Sequence, residues 1–370
     1  MGERKTVNKV LSQLTQEILE SGERQLLALA LSSDVSQEQL DEFLKGWDIE
    51  AAPFPSVILL SYLMKTNPEL SFPDSIIPRL KGVLNYCRFQ NIKLYANFAR
   101  IAGRLNSLEI PFVILKGGAM KAYRPDFPRW MGDIDILVRE RDFHKAAGAV
   151  EELGFSPFRC AHSWDFRVAG TEESALDLHK FIQMNTGKEQ AYNEGLFARS
   201  SAVKVATCGC LLPSREDMVF ISLVNLYRNL SDKTSTGSVL NTFTDLHYLL
   251  GNGESFNWDT VWDSARKTGT EIQICVAAAF VSNLLPQSFP KEFLSDWMDR
   301  KEAERDSVEL LYQREIISPL RAEIGVSDVI KAIRSIRPFG LYIRRRIRLF
   351  FLKRVSPSAR KRILTNKGFI

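Results

Sequence analysis

The segment between residues 111 and 138 constrains the fold more than any other part of this 370-residue chain. Residues 111–115 form a short apolar run that ends at Lys116-Gly117-Gly118, which predicts a buried strand followed by a tight turn. Residues 119–123 suit a short helix, and residues 133–138 alternate polar and apolar side chains, which predicts a second strand. Two strands joined over so short a distance predict the beginning of a small sheet domain.

The residues that follow continue this pattern. Apolar spacing predicts a helix over residues 143–153 that stops at Gly154, and strands over residues 164–168 and 176–181. The order strand, helix, strand, helix, strand, strand indicates an α+β fold built on a small mixed β-sheet. The predicted divisions are an N-terminal helical region, a sheet domain, a C-terminal helical region and a basic tail, at residues 1–108, 109–213, 214–330 and 331–370.

Both regions that flank the sheet carry apolar residues at spacings of three and four, as amphipathic helices do. Predicted helices lie at residues 7–19, 36–43, 53–64, 84–108, 214–229, 242–250, 258–268, 272–285 and 292–315. The helix at 84–108 has one face lined by Ile92, Tyr95, Ala99, Ala102 and Leu105. Ser214, with Asp217 three positions later, is a capping signal for the first helix after the sheet.

Three aspartates in the predicted strands are candidate metal ligands. Asp133 and Asp135 are two residues apart, so on a strand their side chains leave the same face and repel each other unless a cation lies between them. Carboxylate oxygens favour Mg²⁺ or Mn²⁺. Asp177 lies in the otherwise apolar strand Leu176-Asp-Leu-His179, and the three acids meet if the two strands are neighbours. The alternative is that these acids occupy an exposed strand face or a sheet edge.

Lys116, Gly117, Gly118 and Arg129 are candidate nucleotide-binding residues. Glycines at the start of a helix let the backbone approach a phosphate closely, and helix N-termini attract anions. Arg129 could hold a phosphate with two parallel hydrogen bonds. A plain tight turn and a solvated loop arginine are the alternatives, and His179 either orients Asp177 or is a buried structural histidine.

Together these motifs resemble the polymerase-β-like nucleotidyltransferase superfamily, and more closely the bacterial group called nucleotidyltransferase family proteins. The stretches that carry the resemblance are Val113-Ile-Leu-Lys-Gly-Gly-Ala119, Arg129-Trp-Met-Gly-Asp-Ile-Asp-Ile-Leu-Val138 and Leu176-Asp-Leu-His179. The clear match covers residues 112–181, and a looser match extends to about residue 285.

The resemblance implies a nucleotidyltransferase that moves a nucleoside monophosphate from an NTP to a hydroxyl of a non-templated acceptor and releases pyrophosphate. It implies Mg²⁺ or Mn²⁺ held by Asp133, Asp135 and Asp177, with Asp177 also a candidate base. Gly117 and Gly118 would contact phosphate through their backbone, and Lys116 or Arg129 would neutralise charge on the leaving group. The alternatives are a non-catalytic binding module of the same fold and a membrane-surface partner of a biosynthetic complex.

Charge is distributed unevenly along the chain. The last 40 residues, 331–370, hold 13 of the 49 Lys and Arg residues and none of the 44 Asp and Glu, so residues 1–330 have 36 basic and 44 acidic residues. Phe339, Ile343 and Ile347 fall on one helical side, with arginines mostly off it. A basic amphipathic tail favours an anionic membrane surface, or nucleic acid as a second partner. The alternative is that it packs on the protein's own acidic body.

The sequence favours a cytoplasmic protein, with the inner membrane surface as an alternative through the tail. The N-terminus has no apolar segment typical of a signal peptide, and the longest mainly apolar stretch, residues 274–286, is too short to span a bilayer. Five cysteines are most simply reduced thiols. Cys208-Gly-Cys210 without a second cluster is interpreted as a turn and not as a metal site.

Overall fold

The structure is a computed structural model that describes residues 2–32, 34–125, 129–160, 162–171, 173–184, 186–231, 236–251, 255–285 and 289. The helix predicted over residues 292–315 and the basic tail at 331–370 lie outside the described residues. The division of the chain into the four regions given above stays a prediction.

Among the residues that the structure describes, five helices precede the sheet. They are α1 (Gly2–Ile18), α2 (Ser21–Ala30), α3 (Gln37–Lys45), α4 (Phe54–Thr66) and α5 (Ile77–Ser107). The α3 helix begins after Ser36, whose hydroxyl accepts a hydrogen bond from the Gln39 amide at 3.2 Å, as an N-cap does. On α5, Ile92 is 57% exposed, while Leu94, Phe98 and Ile101 are buried. The predicted apolar face of α5 is therefore wrong at Ile92.

Seven strands within the described part of the chain form one mixed sheet. They are β1 (Phe112–Ile114), β2 (Asp135–Val138), β3 (Phe155–Arg159), β4 (Ser163–Val168), β5 (Ser174–His179), β6 (Ser201–Val205) and β7 (Cys208–Leu212). Their spatial order is β3-β4-β5-β2-β1-β7-β6. The β2–β5 and β1–β7 pairs are parallel, and the other neighbouring pairs are antiparallel. Every residue of β1 and β2 is buried, so both faces of the sheet are covered at its centre.

The remaining helices lie within and after the sheet. They are α6 (Lys116–Tyr123), α7 (Phe143–Glu152), α8 (Glu189–Arg199), α9 (Arg215–Ser231), α10 (Thr236–Leu250), α11 (Trp258–Thr268) and α12 (Glu271–Ser282). The Ser214 hydroxyl accepts from the Asp217 amide at 3.1 Å and so caps α9 as predicted. Gly154 has a φ of +88° just after α7, which fits the predicted helix end. The α+β architecture is thus the predicted one.

The stretch Cys208-Gly-Cys210 is the first part of β7, so its interpretation as a turn is wrong. Its extended conformation follows from antiparallel pairing with β6 and from the parallel contact of Leu211 with Val113 of β1. None of the five cysteines, all of which lie among the described residues, forms a disulfide. None of the helices among the described residues has the length and apolar character needed to cross a bilayer.

Candidate active site

Two of the three predicted acids meet where β2 and β5 lie side by side. Asp135 is the register partner of Asp177, and His179, two residues further along β5, leaves the same face of the sheet. One carboxylate oxygen each from Asp135 and Asp177 and one ring nitrogen of His179 lie within 4.8 Å of one another. The strand pairing therefore builds a compact group of two carboxylates and an imidazole.

Asp133 lies outside this group. It is in a bend before β2 and is partly exposed, so the predicted strand start at residue 133 is two residues too early. The reason is that the pairing of β2 with the chain around β1 begins with the Leu115 amide donating to the Asp135 carbonyl, at 2.9 Å. Burial, and then the charge of Asp135, raises the pKa of Asp133 to about 7. Asp133 is thus within electrostatic range of the group without being one of its three close donors.

Two cationic or ionisable side chains surround Asp135. The Lys116 ammonium donates a hydrogen bond to Asp135 Oδ1, and His179 Nε2 lies 2.8 Å from the same oxygen and 3.0 Å from Asp177 Oδ2. Burial opposes ionisation of Asp135, but Lys116 and His179 outweigh it and hold the pKa of Asp135 below its ordinary value. The pKa of Asp177 is lowered because His179 likewise outweighs burial. Both carboxyl groups are therefore ionised at neutral pH.

The same contacts act on the cations. Burial works to lower the pKa of Lys116 and of His179, yet the neighbouring aspartates outweigh it and raise both pKa values. Two buried polar atoms of the group, Asp177 Oδ1 and His179 Nδ1, have no hydrogen-bond partner among the described residues. An ionised carboxylate with a free buried oxygen is suited to bind a cation or to accept a proton.

Lys116 reaches Asp135 from a strained backbone position. Its φ is +45°, in the left-handed region that non-glycine residues rarely adopt and that costs about 1–2 kcal/mol. It is the first residue of α6, directly after β1. The strain at this residue is consistent with selection of a specific lysine position beside the carboxylates.

Gly117 and Gly118 are buried where α6 packs against the strands and the loop before β2. A Cβ on Gly117 would lie 2.9 Å from Met131 Cγ, and a Cβ on Gly118 would lie 2.8 Å from Cγ1 and Cδ1 of Ile114. Close packing alone therefore requires both glycines. A contact of their backbone with phosphate stays a prediction.

Replacing Gly118 with alanine is expected to destabilise the protein by about 1–3 kcal/mol, because the new methyl group collides with the fully buried Ile114. The matched control is Gly148→Ala on α7, where a Cβ meets nothing within 4 Å. That variant is expected to gain about 0.5–1 kcal/mol from helix propensity. Urea unfolding of both variants measures the two changes, and equal stabilities would contradict the packing argument.

Arg129 forms an ion pair with Asp245 of α10, and its Cζ would lie 3.8 Å from a Cβ on Gly117. Its Nε lies 3.0 Å from Asp245 Oδ1 and its Nη2 lies 3.2 Å from Oδ2, and the two side chains are 13% and 6% exposed. Its Nη1 donates to the Trp130 carbonyl, and its own carbonyl accepts from Asn91. Burial, only partly opposed by Arg129, raises the pKa of Asp245. This ion pair fixes the loop before β2 to the C-terminal helices.

Two further residues near the group, His162 and Arg228, were not predicted. The rings of His162 and His179 lie 5.8 Å apart, and burial, followed by the charges of His179 and Arg228, lowers the pKa of His162 to about 4. Arg228 is partly buried on α9, between the buried residues Leu226 and Asn229. A charged residue among buried helix positions is the signal that could have identified Arg228 from sequence.

Three comparisons relate the chain to known proteins. A family model described as "Uncharacterised nucleotidyltransferase" matches residues 56–286. No curated protein matches the chain. Three solved structures are similar to parts of it, each at low identity.

The first is a solution structure of the antibiotic-resistance factor ANT(2″)-Ia, with 13% identity over 53% of this chain and 95% of that chain and a TM-score of 0.35. The second is ANT(2″)-Ia crystallised with adenylyl-2″-tobramycin, with 16% identity over 51% and 97% and a TM-score of 0.29. The third is an antigenic nucleotidyltransferase-like protein from Paracoccidioides brasiliensis, with 15% identity over 62% and 93% and a TM-score of 0.29. Because the family model spans more than half of the chain, including the strands that carry Asp135 and Asp177, the protein belongs to the family of uncharacterised nucleotidyltransferases.

Proposed function

We propose that the protein transfers a nucleoside monophosphate from an NTP to a hydroxyl group of a non-templated acceptor and releases pyrophosphate. The observation that carries this proposal is the pair of ionised carboxylates on neighbouring strands, Asp135 and Asp177, with Asp177 Oδ1 buried and without a partner among the described residues. Membership of a nucleotidyltransferase family supports the reaction class.

The donor set fits a divalent cation, Mg²⁺ or Mn²⁺. Oxygens of Asp135 and Asp177 would hold it, with His179 Nε2 close enough to contribute, and Asp133 is the third candidate because Asp135 already acts on it electrostatically. Bound there, such an ion would polarise the triphosphate and stabilise the ionised acceptor hydroxyl.

Residues of the protein would then neutralise the leaving group, accept the proton and contact the phosphates. The Lys116 ammonium, now on Asp135, is placed to neutralise negative charge on the departing pyrophosphate. Asp177 Oδ1 is the atom that would accept the proton of the acceptor hydroxyl. The amides of Gly117 and Gly118, at the start of α6, would contact phosphate. Arg129 would fix the loop before β2 through Asp245, with its guanidinium beside Gly117.

The test is transfer of label from each of the four NTPs, labelled at the α-phosphorus, to sugars, peptides, antibiotic-like compounds, protein side chains and RNA ends in the presence of Mg²⁺ or Mn²⁺. Labelled acceptor is expected with the wild-type protein and not with Asp177→Asn. The matched control is Asp165→Asn, because Asp165 pairs with Asp177 across β4 and β5 but is bonded to Arg167 and Ser174. Metal-dependent NTP binding without transfer to any acceptor would favour a non-catalytic binding module.

We also propose that the protein acts in the cytoplasm and that residues 331–370 bind an anionic membrane surface. The support is the excess of 13 basic residues with no acid in that segment, together with five cysteines that form no disulfide. Nucleic acid is the second candidate partner.

Full-length protein is expected to bind vesicles that contain anionic lipid and to dissociate as salt rises, because ions screen each surface charge. A variant with Arg344, Arg345, Arg346 and Arg348 replaced by Gln is expected to lose most of this binding. Vesicle flotation at several salt concentrations measures both. If deletion of 331–370 destabilises the protein and leaves vesicle binding unchanged, the tail serves the protein's own acidic body instead.

A further inference from the structure

Arg228 on α9 is a cation close to the carboxylate group that touches none of its acids. Its Nη1 donates to Gln183 Oε1 at 2.8 Å and its Nη2 donates to Asn225 Oδ1 at 2.7 Å. Both acceptors are neutral amide oxygens, so the charge of Arg228 is held in place without being neutralised. Within the described residues, no carboxylate lies within ion-pair distance of its guanidinium.

Gln183, the hydrogen-bond partner of Arg228, lies close in sequence to the strand that carries Asp177 and His179. It follows His179, the last residue of β5, by four positions, and α9 also packs against α6, the helix that begins with Lys116. Burial lowers the pKa of Arg228 and outweighs the charges of Asp135 and Asp177, which raise it; the charge of Arg228 in turn works to lower the pKa values of Lys116 and His162. The guanidinium of Arg228 therefore interacts electrostatically with two acids and two basic residues of the site.

A partly buried cation that is oriented by amides and not paired with an acid suits an anion that arrives from outside. A guanidinium has five N–H donors, and those not directed to Gln183 and Asn225 remain for phosphate oxygens. The same charge repels a bare metal ion from Asp135 and Asp177. Arg228 therefore opposes the binding of metal alone and favours the binding of metal together with a polyphosphate.

We propose, building on the proposed function, that Arg228 binds the polyphosphate part of the nucleotide and couples it to the metal, so that the two bind better together than either does alone. Gln183 and Asn225 are positioning residues that hold the guanidinium in place.

The coupling gives Arg228→Gln opposite effects on two ligands. Loss of repulsion is expected to tighten the binding of Mn²⁺ alone several-fold. Loss of charge-assisted hydrogen bonds is expected to weaken binding of inorganic pyrophosphate in the presence of Mn²⁺ by about 10-fold or more. Calorimetric titration of the full-length protein with each ligand measures both. Arg228→Lys, which keeps the charge but not the planar fork, is expected to bind Mn²⁺ as the wild type does and to bind pyrophosphate with intermediate affinity.

Arg215→Gln is the matched control, since Arg215 lies at the opposite end of α9, about 20 Å away along the helix. It is expected to change neither affinity. If Arg228→Gln weakens both ligands equally, or changes neither while the wild type binds both, the coupling is wrong and the proposed transfer reaction is untouched. If Arg228→Gln melts well below the wild type and Arg228→Lys does not restore pyrophosphate binding, Arg228 is a structural counter-ion only. Wild-type protein that binds neither Mn²⁺ nor pyrophosphate would instead contradict the proposed function itself.

Discussion

Asp135→Asn is expected to reduce nucleotidyl transfer by roughly 1,000-fold or more, because several kcal/mol of transition-state stabilisation depend on a metal held by this carboxylate. The same change is expected to destabilise the metal-free protein by about 1–3 kcal/mol. Asp135 accepts hydrogen bonds from Lys116 and His179, and an amide leaves the partly buried Lys116 without its carboxylate partner and the buried His179 with Asp177 alone. Steady-state rates and urea unfolding with chelator present measure the two effects.

Asp177→Asn is the matched comparison for this stability effect. It is expected to abolish transfer as well, yet to change stability by less than about 1 kcal/mol, because Lys116 and one His179 contact remain on Asp135 and carboxylate repulsion is relieved. Repulsion alone would predict a gain in stability for both variants. Equal stability of Asp135→Asn and wild type would therefore show that Lys116 and His179 do not stabilise Asp135.

The stability difference between Asp135→Asn and wild type is expected to depend on pH. The pKa of Asp135 is lower in the folded protein than in the unfolded chain, where it is near the ordinary value of 3.8. Its contribution to stability is therefore complete above about pH 4 and is lost as pH falls toward the folded-state pKa. Unfolding curves taken from pH 7 down to pH 2 are expected to show a stability difference that is constant to about pH 4 and that shrinks below it, as pH falls toward the folded-state pKa.

Asp245→Ala is expected to destabilise the protein by about 3–5 kcal/mol, because it leaves the guanidinium of Arg129 buried without its partner. The matched control is Glu152→Ala, which removes the partner of Arg104 from an exposed pair and is expected to cost less than about 1 kcal/mol. Denaturant unfolding of both variants gives the comparison.

A second variant separates the effect of the unpaired charge of Arg129 on stability from the effect of lost packing. The pair replacement Arg129→Met with Asp245→Leu removes both charges and keeps apolar volume, so it is expected to recover most of the lost stability. A double variant as unstable as Asp245→Ala would show that the hydrogen bonds of Arg129 to Trp130 matter more than its charge.

The sequence predicts the centre of this fold better than its edges. The strands β1 and β2 and helix α6 are recognisable because buried strands read as short apolar runs and because glycines mark the turn between them. The strands β3 and β6 lie at the two ends of the sheet. Pro157 within β3 argues against a strand by propensity, and an edge position is where a proline is tolerated.

The hairpin of β6 and β7 gives no recognisable turn signal. Its two connecting residues, Ala206 and Thr207, have φ values of +48° and +70°. Such a turn normally contains Asn or Gly, and sequence rules search for those residues. The hairpin is therefore visible only when the pairing of the flanking strands is known.

The candidate site shows a similar division. The shared face of Asp177 and His179 follows from strand periodicity, and their meeting with Asp135 follows once β2 and β5 are neighbours. The pairing of Arg129 with Asp245 joins residues 116 positions apart, and no local pattern specifies such a contact. Asp133 was placed in β2 because alternation does not reveal where backbone pairing begins.

The cations around Asp135 also make folding of the protein independent of metal binding. Because Lys116 and His179 already compensate the buried carboxylates, the chain does not need a metal ion to bring β2 and β5 together. Zinc fingers and many small metal-binding domains, by contrast, fold only when metal is present. This protein is instead expected to have the same melting temperature with and without chelator. It would therefore be fully folded before it binds metal and nucleotide.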